Sequence, residues 1–422
     1  MVENTLSVDR PEPLARTRQA VILVGGKGTR LGELTKATPK PLMPIGDDRV
    51  FLDLLIDNIA RQGFDEILLL AGYLGDQVVD RYDARTIRGA LISVLIEPEP
   101  MGTGGALRFA AGHLRDNFLL TNGDTYFDIN YRALEQAFCR GDTLGILALR
   151  QVDDCARYGS IDVDADGKIR SFREKSAVTQ PMPGLINGGV YLLDRAILDH
   201  LPRGPSSLEQ DVFPALASSN RLRGLDFPGY FIDIGLPETL EQARQDLPNA
   251  IRRPALFLYR DGVINHDHGY VHRWDQFDWV EDARQLIRLF NDSGWFVFVV
   301  TNQAGVAHGY YDEPRVHRLH DVIRNSLAAE GAFIDGFYHC PYHPAAKVDR
   351  YRADAHEDRK PAPGMILRAF AEWPIDRAGS FIVVDRDIDV MAGEAAGISG
   401  MLFPGGSLYT FIENQGCLPA IS

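Results

Sequence analysis

Two short stretches of this 422-residue sequence carry the residue types that phosphate chemistry needs. "LVGGKGTRL", residues 23 to 31, follows an apolar run and places Gly25, Gly26 and Gly28 where backbone amides can come close to phosphate oxygens. Arg30 adds a fixed positive charge, and Lys40 stands between Pro39 and Pro41 as a cation on a conformationally restricted segment. The second stretch is "FLYRDGVIN", residues 257 to 265, where an apolar lead-in runs into Asp261 and Gly262 at a turn. Phosphate chemistry often presents a nucleophilic aspartate in this way, but the nucleophile's place holds Tyr259, a phenol.

Taken alone, the glycine stretch also reads as a tight strand-to-helix turn. It lacks the Gly-Lys-Ser/Thr ending of a Walker loop, and its third glycine in dinucleotide spacing falls one position late, at Gly32.

These residues must be held by elements, and the chain supplies two sets. From "AVILV" onward short apolar runs alternate with amphipathic stretches through "NFLLTNGD", the rhythm of a mostly parallel α/β sheet. After about residue 145 strand-and-turn text takes over, with "DADGK" as a hairpin turn. A second alternation begins at "ALFLYRDG" and runs to "SFIVVDRD", a second open sheet. The expected organisation is a loose leader over 1–18, a first domain over 19–246, a proline-containing linker over 247–253, a second domain over 254–404 and a tail over 405–422. The fold class is α/β in two domains.

Composition sets the outer bounds. Hydrophobic residues at 45% and charged ones at 24% allow two sizeable cores. A net charge of -14 argues against a nucleic-acid binder, because such affinity comes from clustered Lys and Arg. Cys139, Cys155, Cys340 and Cys417 are scattered, so reduced thiols are expected. No run of about 18 apolar residues occurs, and the start has no apolar targeting core, so a cytoplasmic protein without a membrane partner is expected.

The first domain resembles the sugar-1-phosphate nucleotidyltransferases. The resemblance rests on "LVGGKGTRL", "TPKPLMPIG", "EPMGTGGAL" (99–107), "TNGD" (121–124), "FREK" (172–175), "LINGGVYLLD" (185–194), "SLEQDVFP" (207–214) and "FIDIG" (231–235), in family order. It implies that Gly25, Gly26, Gly28 and Thr29 surround a triphosphate whose charge Arg30 and Lys40 offset. It further implies that Thr103, Gly104 and Gly105 lie against the base, that Asp124 and Asp233 hold Mg²⁺, and that Glu174, Lys175, Asn187 and Gly188 hold the sugar and its phosphate.

The second domain resembles haloacid dehalogenase-type phosphatases through "FLYRDGVIN", "VVTNQAG", "RKPAPGM" and "VVDRDID". "GYVHRW" and "HGYY" bring it closer to the branch acting on heptose 1,7-bisphosphates. By that resemblance Asp261 is the acid/base, Thr301 and Lys360 bind phosphate, and Asp385 and Asp389 serve a metal. Tyr259 replaces the nucleophile, so the expected hydrolysis is lost or very low. The branch's zinc loop is also depleted: Cys340 remains, Tyr342 stands for its histidine, and His356 and Asp358 stand for its later cysteines. Cys340, His343, His356 and Asp358 could in principle hold zinc, but none is expected. Val384 replaces a glycine before the last motif.

Together the resemblances imply transfer of a nucleoside monophosphate, GMP from GTP, to a heptose 1-phosphate with release of pyrophosphate. The expected cofactor is Mg²⁺ and the expected partners are the nucleotide and the sugar phosphate, with a homo-oligomer left open. The competing readings are a bifunctional enzyme that also dephosphorylates the bisphosphate, and a non-catalytic sensor.

Overall fold

A computed structural model describes residues 10–46, 48–138, 143–155, 159–173 and 182–420. The chain divides into two compact units, one of Thr17–Ala250 and one joining the segment that ends at Arg16 to the chain from Ile251 onward.

In the first unit the strands are β1 (Gln19–Val24), β2 (Glu66–Ala71), β3 (Thr86–Ile87), β4 (Ala90–Ile96), β5 (Asn117–Asn122), β6 (Thr125–Phe127), β7 (Gly145–Val152), β8 (Ser160–Val163), β9 (Ile169–Arg173), β10 (Gly184–Asp194), β11 (Leu222–Asp226) and β12 (Phe231–Asp233). The main sheet runs β11-β7-β10-β5-β1-β2-β4-β3. β1 lies parallel to both β2 and β5, whereas β10 is antiparallel to both of its neighbours. The continuous apolar text of β1 and β5 fits inner strands covered on both faces. Because β1 and β5 are parallel, the glycine loop after one and Gly123–Asp124 after the other emerge at the same carboxyl edge, where open α/β sheets bind ligands. The "DADGK" turn closes the β8–β9 hairpin, with Asp164 accepting from the Asp166 and Lys168 amides.

The second unit holds β13 (Arg253–Tyr259), β14 (Phe296–Asn302), β15 (Gly336–Cys340), β16 (Ile375–Val384) and β17 (Ser399–Leu402), all parallel in the order β15-β14-β13-β16-β17. The carboxyl ends of its three inner strands place Tyr259, Thr301 and Asp385 side by side. The mixed sheet of the first unit and the open parallel sheet of the second agree with the two-domain α/β expectation.

Three boundaries differ from the expected ones. Residues 10–16, read as loose leader, lie on the second unit: Arg10 donates to the Phe277 carbonyl and covers the Trp274 ring, and Arg16 pairs with Asp321 at 2.9 Å. The helix Pro237–Ala250 carries through Pro248, leaving only residues 251 and 252 between it and β13. Pro248 sits in the helix's last turn, where its missing N–H forfeits a single bond. The stretch read as a tail contains the helix Leu408–Asn414, whose Leu408 and Ile412 are buried in the second unit's core. One turn apart, these two side chains form an apolar stripe too short for a pattern reading to separate from a loop.

Candidate active site

The first unit's site is a cavity of about 570 Å³ lined by the glycine loop, Lys40, Glu97, the Met101–Thr103 turn and Asp124. Gly28 has φ of 62°, a left-handed turn that sends the chain back over Thr35, whose hydroxyl donates to the Gly28 carbonyl. Gly123 has no room for a side chain: a Cβ there would lie 2.6 Å from the Leu23 carbonyl oxygen. That contact presses the Asp124 loop against the end of β1.

Asp233 arrives by a separate route. β12 pairs antiparallel with β6, setting Asp233 opposite Thr125, and the Ile234 amide donates to the Asp124 carbonyl at 2.9 Å. The two carboxylates, 109 positions apart by subtraction of their numbers, therefore share one site. Burial and then the neighbouring Asp124 push the Asp233 carboxyl above its ordinary value, while Lys40, the Gly235 amide and Arg30 pull the other way. Lys40 makes a close ion pair with Asp124. Two crowded, half-buried carboxylates are a donor set that suits a hard divalent cation with oxygen ligands. Asp124 and Asp233 thus fit as the residues that would hold Mg²⁺. Arg30 and Thr29 are exposed at the loop's outer end.

The residues read as sugar-side and base-side ligands meet a different fate. Glu174 and Lys175 lie outside the described residues. Asn187 donates to the Tyr191 hydroxyl at 2.9 Å, which donates to Glu209 at 3.2 Å, and Glu209 also accepts from Thr103 at 2.8 Å. Thr103 in turn accepts from the Leu208 amide at 2.8 Å, so its hydroxyl is engaged within the protein. Gly104 packs against Ser206, where an added Cβ would fall 2.6 Å from the hydroxyl oxygen. A Cβ on Gly105 would lie 2.8 Å from Met101 Cβ. At Gly188 it would meet the Phe127 ring at 2.6 Å and the Ala148 carbonyl at 2.8 Å. Gly188 is thus required by packing, and Gly188→Ala is expected to lower stability by about 1–3 kcal/mol, measured by denaturant unfolding.

Glu97 and Glu209 were not singled out in the sequence. Glu97 closes β4, lines the cavity, accepts from the Met101 amide at 3.1 Å, and lies against Gly25, whose Cβ would fall 2.7 Å from its carboxylate. Burial raises its carboxyl above the ordinary value, with the Met101 amide offsetting part of that. The signal that could have found it is its place at a strand's carboxyl end, five residues before the Gly-Thr-Gly-Gly stretch.

The second unit has its own cavity, about 350 Å³, lined by Asp261, Thr301, Gln303, Arg359, Lys360, Asp385, Arg386 and Asp389 among others. Asp261 pairs with Arg260 at 2.9 Å and accepts from Asn265 at 3.1 Å and Gln303 at 3.3 Å. Thr301 lies 3.5 Å from the same carboxylate. Tyr259 is 1% exposed, its hydroxyl lacks a well-formed hydrogen bond, and the Lys360 ammonium sits over its ring. Burial, then Asp389 and Asp385, push the phenol far above its ordinary value, so it stays protonated. Burial lowers Lys360 to about 7 against the pull of Asp389, 3.9 Å away, Asp385 and Asp261. A neutral phenol is a poor magnesium ligand, and the Lys360 ammonium already faces Asp389, so this donor set does not fit a resident Mg²⁺. It fits an anion held by Lys360 and Thr301.

Around the depleted zinc loop, the Tyr342 and His356 rings stack at 3.9 Å, His356 accepts from the Asp358 amide, and Asp358 faces Arg368 at 3.4 Å. His343 accepts from the Ala345 amide at 3.0 Å. Cys340, His343, His356 and Asp358 do not converge on one metal-sized point among the described residues.

Comparison with known proteins follows the same division. Residues 19–250 match the family model described as nucleotidyl transferase, and 358–409 the one described as HAD-hydrolase-like. The first half is 37% identical over 223 residues to the D-glycero-alpha-D-manno-heptose 1-phosphate guanylyltransferase of Campylobacter jejuni, covering 52% of this chain and 96% of that protein. It is 33% identical over 235 residues to the enzyme of the same name from Aneurinibacillus thermoaerophilus, covering 55% of this chain and all of that one. The second half is 43% identical over 165 residues to the D-glycero-beta-D-manno-heptose-1,7-bisphosphate 7-phosphatase of Rhodopseudomonas palustris, covering 39% of this chain and 91% of that protein. No helix among the described residues is long and apolar enough to cross a membrane.

Proposed function

The chain belongs to the nucleotidyl transferase family, and from that premise we propose that its first unit transfers GMP from GTP to D-glycero-α-D-manno-heptose 1-phosphate, releasing pyrophosphate. The observation that carries this reading is that Lys40 and Asp124 line the glycine-loop cavity with Asp233 beside them. A phosphate oxygen of the sugar attacks the α-phosphorus in line, the new P–O bond forms, and the bond to the β-phosphate bridging oxygen breaks with pyrophosphate leaving. No protein intermediate is required, so the chain's task is positioning and charge stabilisation. Amides of the glycine loop orient the triphosphate, Lys40 and Arg30 offset its charge, and the buried walls limit water. Asp124 and Asp233 would hold a Mg²⁺ ion, which when bound supplies further neutralisation of the phosphate oxygens.

Guanine is favoured by Glu97. Guanine's Watson–Crick edge presents N1–H and N2–H donors side by side, which a carboxylate can accept together, whereas no other common base offers that pair. Glu97→Gln is expected to lower kcat/KM for GTP by roughly 10- to 100-fold, with a smaller change for ATP. Initial rates with four nucleoside triphosphates check this, and an unchanged base ranking counts against it. The two guanylyltransferase relatives carry the same base and sugar in their names.

The second unit is read as a phosphatase fold that keeps a phosphate-binding pocket without a working nucleophile, because Tyr259 is buried, protonated and covered by Lys360. A cytoplasmic role in supplying an activated heptose for surface glycans fits the pairing of these two folds. Pyrophosphate release over a matrix of nucleoside triphosphates and sugar 1-phosphates tests the whole reading. The expected maximum is GTP with the heptose 1-phosphate; no nucleotide sugar from any pair would overturn it.

A further inference from the structure

We propose that Glu313, His317 and His339 form a zinc site that fastens the edge strand β15 to the helix Glu313–Ala329. The three side chains bring one carboxylate oxygen and two imidazole nitrogens within 4.8 Å of one another, close enough together to hold a metal ion. Two come from successive turns of one helix, at i and i+4, which places them on the same face. The third, His339, comes from β15, the end strand of the five-stranded sheet. Alternation along the strand turns His339 away from its buried neighbours Tyr338 and Cys340 and toward the helix. The site is therefore separate from the loop around Cys340.

Two of the donors are already oriented. Tyr351 donates to Glu313 Oε1 at 2.7 Å, leaving Oε2 to face His339 Nε2 at 3.0 Å. An outer-shell hydroxyl that fixes a carboxylate in this way is a recurrent feature of metal sites. His339 Nε2 shares a proton with Glu313 Oε2, and metal binding would displace that proton to leave both atoms as ligands. Zinc takes such ligands at about 2.0–2.2 Å, which requires donors closer than they now stand; His317 is exposed and can turn inward. Two histidines and a carboxylate are a known zinc set that leaves a fourth position for water. One turn further along the helix, His320 is buried against Phe337 with its Nε2 unpartnered, so it gives that region a rigid floor. The consequence is a metal staple across an edge that hydrogen bonding leaves open on one side.

The test uses the full chain, stripped with chelator and titrated with Zn²⁺ in saturating Mg²⁺, followed by calorimetry and thermal unfolding. One equivalent of zinc should bind and raise the unfolding temperature in step with zinc concentration. His317→Ala, a change at an exposed position, should weaken binding at least about 100-fold, and Tyr351→Phe by about tenfold. Cys340→Ala should bind like the parent, and Co²⁺ in place of zinc should show no thiolate charge-transfer band. Absence of zinc binding, binding that survives His317→Ala, or a thiolate band that vanishes with Cys340→Ala would each overturn the assignment.

Discussion

Asparagine at position 124 is expected to cut kcat/KM for pyrophosphate release from GTP and heptose 1-phosphate by about 10²–10³-fold or more. The substitution keeps the side chain's shape but removes a charge from the centre of the site. Lys40 then loses its close partner, and one of the two carboxylates suited to a divalent cation is gone. The fold should survive, since Asp233 remains beside Lys40 as a counter-charge when Asp124 is neutralised. Thermal unfolding of the variant is therefore expected near the parent's. The residual activity carries a second signature. Asp124 is one of the charges that raise the Asp233 carboxyl. Without it Asp233 ionises at lower pH, so the acid limb of the pH–rate profile should move to lower pH. Near-parent turnover, or an acid limb that moves upward, would refute the assignment of these two residues to one site.

The glycine loop and Lys40 were legible because their chemistry is written in neighbouring residues, and so were both sheets, because β1, β13 and β14 each carry five consecutive apolar residues. The meeting of Asp124 with Asp233 could be expected only through family resemblance. It depends on a ribbon of three residues a side, β6 with β12, which no periodicity reveals. Thr103 and Gly188 show the opposite limit. Both also bond or pack internally, which sequence does not reveal: Thr103 lines the cavity while its hydroxyl joins Glu209 and the Leu208 amide, and Gly188 leaves room for the Phe127 ring. Residues 10–16 and 408–414 looked like loose ends because their anchors, Trp274, Asp321 and the second unit's core, are distant in sequence.

Tyr259→Asp should raise phosphate release from heptose 1,7-bisphosphate by the second unit about 10²-fold or more above the parent's rate. The surroundings are prepared for it. Asp261 is still held by Arg260, Asn265 and Gln303 in the place of an acid/base, and Thr301 and Lys360 still line the pocket. What the parent lacks is a carboxylate at the end of β13, because a protonated phenol stands there under the lysine. The new carboxylate would join Asp385 and Asp389, and three acidic groups facing one lysine favour a divalent cation that the parent's donor set does not suit. Lys360, lowered by burial to about 7, should gain a partner and stay charged to higher pH, so phosphate binding should persist further into the alkaline range. Removing a buried ring has a cost, expected at roughly 2–4 kcal/mol without metal and partly restored by Mg²⁺. Three measurements isolate the cause: Tyr259→Phe should hydrolyse nothing, Asp261→Asn added to Tyr259→Asp should abolish the gain, and nucleotidyl transfer should be unchanged throughout. Rapid hydrolysis by the parent itself would show that another group serves as nucleophile, and the reading of Tyr259 as a lost catalytic step would fall with it.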